Sequence, residues 1–127
     1  MASVLIVDDS LVMRKNLEYI LKSGGYEIAG QAINGKQAVT MYNELKPDIV
    51  TMDISMPVMT GGEAVGLIIK DKPDAKIIMI SALNQKQMVF EALKNGAKHY
   101  ILKPIDPENV LSTVNSVIQN IKAEEEF

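Results

Sequence analysis

The chain has 127 residues, of which 47% are apolar and 23% charged, and its formal net charge is −3. That length suits one domain able to bury most of its apolar surface, and the acidic balance argues against a nucleic-acid surface. No apolar run approaches the roughly 18 residues of a membrane span. The start of the chain lacks a secretory-signal pattern, which makes the cytoplasm the expected location. There is no cysteine, so disulfides and thiolate metal sites drop out.

The apolar run from Val4, ending in Asp8, reads as a first strand. Leu11, Met13, Leu17, Ile20 and Leu21 follow at helical spacing, and Gly24-Gly25 stops that helix. Tyr26 to Ile33 is a second strand. Asn34-Gly35 then turns the chain into a helix with Ala38, Val39, Tyr42 and Leu45 inward, ended by Pro47-Asp48. Ile49 to Asp53 is a third strand, and Gly61-Gly62 leads into a helix with Ala64, Leu67 and Ile68 inward. After Pro73, Lys76 to Ser81 is the fourth strand. Met88, Val89, Ala92 and Leu93 mark the next helix, and Gly96 sits where a left-handed cap belongs. His99 to Lys103 is the fifth strand. Pro107 opens a last helix with Val110, Val114, Val117, Ile118 and Ile121 inward.

Strands one, three and four are nearly continuous apolar runs, as a parallel sheet covered on both faces requires. The expected fold is therefore α/β and flavodoxin-like: five parallel strands in the order 2-1-3-4-5, helices on both faces. Residues 1–123 form the expected domain, and residues 124–127, with Glu124, Glu125 and Glu126, a solvated acidic tail.

In such sheets ligands collect beyond the carboxyl ends of the strands, near the switch point. The unusual polar residues lie at those ends: Asp8 and Asp9, then Asp53, Ser81 and Lys103. Two carboxylates about 5 Å apart repel by roughly 3 kcal/mol at an effective dielectric near 20. Lys103 offsets part of that repulsion and a hard divalent cation more. Mg2+ suits one or two carboxylates, waters and phosphate oxygens. The set matches the needs of phosphoryl transfer, and the isolated Asp53 is a better nucleophile candidate than the adjacent pair.

The motifs VLIVDDS, DISMPVMTG, SA after strand four and YILKP at strand five together resemble the receiver domain of two-component response regulators, over about the whole chain. Single-domain chemotaxis regulators of the CheY type look most similar. The resemblance implies a phosphorylation-dependent switch rather than a turnover enzyme. Asp53 would accept a phosphoryl group from a phosphohistidine on a sensor histidine kinase. Asp9 and Asp53 would ligate Mg2+ directly, Asp8 through water, and Ser55 through its backbone carbonyl. Lys103 would pair with phosphoryl oxygens, its bond to Pro104 being cis. Ser81 would be the switch hydroxyl and Tyr100 the switch aromatic, turning inward as Ser81 moves. The implied readout surface is helix 4, strand 5 and helix 5, roughly Gln87 to Ile121. The implied partners are the kinase, a downstream target such as the flagellar motor switch, and a phosphatase.

Departures from the family pattern are small. Thr60 stands where an acidic residue is common, and Ser81 replaces the frequent threonine. Ser55 and Gln85 to Met88 lie near positions that tune dephosphorylation. Each residue also has a bland reading: Asp8-Asp9 with Ser10 as helix caps, Lys103 and His99 as surface residues, Ser81 as a turn, Tyr100 as an edge-strand aromatic. A Mg2+-dependent phosphohydrolase would need a cap that no insertion here is long enough to build. A flavin carrier would need a Gly/Ser/Thr-rich first turn, and this one is acidic.

Overall fold

The computed structural model describes residues 2–126, with side chains described through Gln119. Five strands and five helices alternate: β1 (Ser3–Val7), α1 (Leu11–Ser23), β2 (Glu27–Ala32), α2 (Gly35–Leu45), β3 (Ile49–Asp53), α3 (Gly61–Asp71), β4 (Ile77–Ser81), α4 (Lys86–Lys94), β5 (His99–Leu102) and α5 (Pro107–Glu126). A 3-10 turn, Leu83–Gln85, leads into α4. All strand pairs are parallel and the order is β2-β1-β3-β4-β5, as the apolar patterning predicts. Among the described residues no helix is long and apolar enough to cross a membrane.

Successive strand residues point to opposite faces, so one sheet feeds two cores. Leu5, Val7, Val50, Met52, Ile77 and Met79 pack under α2, α3 and α4. Val4, Ile6, Ile49, Ile78, Ile80 and Ile101 pack under α1 and α5. Because both faces are covered, β1, β3 and β4 carry no alternation for a sequence reading to find. The edge strands differ: on β5 only Ile101 is buried.

The helix ends follow their capping residues. Ser10, Asn34 and Thr60 accept the backbone N–H three residues on, and Asp106 does the same for Asn109. At the end of α4, Gly96 (φ 121) lets its own N–H reach Leu93 and that of Ala97 reach Ala92, a Schellman closure. Gly25 (φ 90) serves α1 in the same way.

Three residues at helical apolar spacing lie further out than the spacing suggests. Leu45 and Leu67 are 41% and 45% exposed, and Leu11 is also exposed. On α3 the buried face runs through Gly61, Ala64, Val65 and Ile68, so Val65 takes the place expected of Leu67. Leu67 shares helical spacing with Ala64 but lies one position round from the stripe that meets the sheet. Leu11 and Leu45 occupy end turns, and Leu45 still reaches β2, where its Cδ1 would lie 2.8 Å from a Cβ at Gly30. Ile121 and the acidic tail fall outside the described side chains.

One buried hydroxyl serves no visible partner. Thr51 of β3 is fully buried, and its Oγ1 makes no hydrogen bond. Thr51→Val keeps the shape and removes an unsatisfied polar atom, so the chain should gain about 1 kcal/mol. Urea unfolding checks this: the midpoint should rise at constant slope.

Candidate functional site

The rim is assembled from strand ends that are distant in sequence. Asp8 follows β1, and its N–H is held by the Ala32 carbonyl of β2 at 3.0 Å. Its carboxylate is 1% exposed; Oδ1 accepts the Ser10 N–H at 2.8 Å, while the buried Oδ2 has no partner. Asp9, beside it, is exposed. Asp53 ends β3 and is 4% exposed. Because β1 and β3 are neighbours, one oxygen from each of Asp8, Asp9 and Asp53 falls within 4.8 Å of the others.

Lys103 reaches this group from the end of β5. Its N–H bonds the Ser81 carbonyl at 2.8 Å, the Lys103–Pro104 peptide is cis, and Nζ lies 3.2 Å from Asp53 Oδ1. Ser81 ends β4, fully buried, with an Oγ that has no hydrogen-bond partner. Tyr100 is 42% exposed. With Ser81, Lys86, Val89, Phe90 and Leu102 it lines a hollow of about 160 Å³. The side chain of Ser55 is exposed, and its backbone N–H works against the rise in the Asp53 carboxyl.

Electrostatics follow from burial. Desolvation pushes the Asp8 carboxyl up to about 6; the Ser10 N–H opposes the shift and the Asp53 charge adds to it. Asp53 is also raised, by burial first, against the opposing pull of Lys103. One lysine does not neutralise three clustered carboxylates. The orphaned Asp8 oxygen, hard oxygen donors and excess negative charge fit a small divalent cation.

The loop after β3 is pinned by Gly61. Its N–H bonds the Ile54 carbonyl at 3.0 Å, and a Cβ there would lie 2.3 Å from the Asp53 carbonyl oxygen. Gly61→Ala should therefore displace the Asp53 backbone and cost about 2 kcal/mol. Urea unfolding reads the stability loss as a lower midpoint.

Thr60, the departure from the acidic norm, caps α3: its hydroxyl accepts the Glu63 N–H and donates to Glu63 Oε1. Two features escaped the sequence. Val58 holds φ 70, a backbone where glycine or asparagine would be the signal. Gln85 Oε1 accepts the Ala82 N–H at 2.8 Å beside Ser81, a local contact that closes the 3-10 turn.

Fold and rim together define a doubly wound α/β domain whose buried acidic pocket, backed by one lysine, lies at the switch point. A family model described as the response regulator receiver domain matches residues 4–115, and the chain belongs to that family. It is thus a phosphorylation-dependent switch of two-component signalling. It is 54% identical over 114 residues to the chemotaxis protein CheY of Thermotoga maritima, covering 90% of this chain and 95% of that one. It is 44% identical over 115 residues to CheY of Bacillus subtilis, covering 91% and 96%. Among solved structures, a CheX-CheY-BeF3-Mg2+ complex from Borrelia burgdorferi contains a chain 43% identical, with a TM-score of 0.88 and coverage of 92% and 89%.

Proposed function

We propose that this receiver is a cytoplasmic chemotaxis switch that takes a phosphoryl group onto Asp53 from a phosphohistidine of a sensor kinase. The observation that carries the reading is the convergence of three carboxylates within 4.8 Å, with Lys103 Nζ 3.2 Å from the buried Asp53. An Asp53 oxygen forms the new bond to phosphorus as the bond from phosphorus to the donor imidazole nitrogen breaks, that nitrogen keeping the electron pair. Lys103 then offsets charge on the phosphoryl oxygens. Asp9, Asp53 and the Ser55 carbonyl would hold Mg2+ directly, with Asp8 through water. When bound, Mg2+ supplies positive charge to the phosphoryl oxygens.

The unpartnered Ser81 hydroxyl is free to bond the new phosphoryl group, and Tyr100 borders the hollow it would turn into. Phosphorylation thereby biases two states of the α4-β5-α5 face and changes which partner binds. The target read by that face is the flagellar motor switch, and a phosphatase ends the signal. The similarity to CheY proteins, one of them solved in complex with CheX, supports the chemotaxis pathway and a CheX-like partner.

Incubation with acetyl phosphate and Mg2+ tests the reading. Intact mass should rise by one phosphoryl group, and fragmentation should site it on Asp53. An adduct sited on any other residue overturns the assignment.

A further inference from the structure

The backbone of Asp8 is braced by a chain of side chains that has no part in the chemistry described above. Strand pairing holds only its N–H, through the Ala32 carbonyl. Its carbonyl is taken by Arg14, whose Nη1 donates at 2.8 Å. Arg14 is itself fixed by a second bond, Nε to Gln31 Oε1 at 3.3 Å, and Gln31 Nε2 donates onward to Glu18 Oε2 at 3.3 Å. Arg14 and Glu18 stand one turn apart on α1, and Gln31 stands on β2, where it pairs with Ile6. Helix, edge strand and acidic turn are thus tied by three consecutive hydrogen bonds.

The choice of acceptor matters. A guanidinium paired to the carboxylates would neutralise the rim and compete with a cation for their oxygens. Arg14 bonds a carbonyl instead, and among the described residues it forms no ion pair. The acidic turn is therefore held without losing the charge that draws a cation. Gln31 keeps the guanidinium plane from swinging towards Asp8 or Asp9.

We infer that Arg14, braced by Gln31, is a positioning residue for divalent-cation uptake, acting through the Asp8 backbone. The inference rests on the Mg2+ reading of the acidic cluster. Partners behind metal ligands typically alter affinity by 10–100-fold when removed. Calorimetric titration of MgCl2 into the unphosphorylated chain provides the test, with each variant first shown to be folded by circular dichroism. Arg14→Met should weaken Mg2+ binding roughly tenfold. Gln31→Leu, which leaves the Asp8 bond but frees the guanidinium, should weaken it less. Arg14→Lys, which keeps the charge but loses the planar fork, should fall between the parent and Arg14→Met.

A purely structural arginine would lower the unfolding midpoint and leave the Mg2+ affinity of the folded fraction alone. An Arg14→Met affinity within twofold of the parent overturns the inference and spares the metal reading. A parent chain that binds no Mg2+ overturns both. If Arg14→Met does not fold, Gln31→Leu decides: an affinity equal to the parent's overturns the inference.

Discussion

Asp53→Asn should abolish phosphoryl uptake from acetyl phosphate, a loss of more than about 10³-fold by analogy with removal of other nucleophiles. The amide keeps the size of the carboxylate but has no anionic oxygen to attack phosphorus. Neither neighbour is a ready substitute: Asp8 has one oxygen tied to Ser10 and the other buried, and Asp9 lies exposed at the outer side of the cluster. The fold should survive, and in the absence of metal it should become more stable. Burial raises the Asp53 carboxyl despite Lys103, so its ionised form burdens the folded state at neutral pH. Lys103, 29% exposed, can be rehydrated when its partner is lost. Intact mass after acetyl phosphate treatment and urea unfolding in EDTA are the paired measurements. A variant that still gains a phosphoryl group sinks the acceptor assignment. A variant that takes up none but is also less stable leaves the electrostatic account wrong.

Asp8→Asn should stabilise the metal-free chain at pH 7 by up to about 3 kcal/mol, the free energy of a carboxyl moved from 3.8 to about 6. The sign follows from proton binding. With the folded value raised, the folded state holds its proton longer than the unfolded state as pH climbs. The stability that Asp8 contributes is full below pH 3.8, declines as pH rises, and is gone once pH passes about 6. Asparagine does not titrate, so its advantage over the parent should open between those values and then stay level. Urea unfolding in EDTA at steps from pH 4 to pH 7.5 reads this curve directly. Mg2+ should narrow the gap, because it stabilises the parent by about 1.4 kcal/mol at tenfold its dissociation constant and should bind the variant more weakly. A flat difference across the pH series would show that Asp8 is not forced to ionise in a dry site.

The strand order and the rim residues were legible because the alternation of apolar runs with helical spacing dictates a covered parallel sheet. Asp8 and Asp9 come directly after β1, Asp53 ends β3 and Lys103 comes directly after β5, so the topology alone brings them to one edge. The three carboxylates meet within 4.8 Å, and Lys103 Nζ lies 3.2 Å from Asp53 Oδ1. Leu67 lies off the buried face because spacing identifies an apolar stripe but not how far round the helix the sheet extends. Val65 and Leu67 are equally apolar, and contact with the neighbouring layers decides between them.

By itself, then, the sequence determined the class of fold, the caps that end its helices and the residue types at the carboxyl rim, all of which depend on local pattern and short-range backbone chemistry. Tertiary structure decided the rest. The unsatisfied oxygens of Asp8, Ser81 and Thr51, the Gly61 contact against the Asp53 carbonyl, and the bonds from Arg14 to Asp8 and Gln31 exist only after distant segments meet. Burial and hydrogen-bond satisfaction are properties of that meeting, and no spacing rule along one chain encodes them.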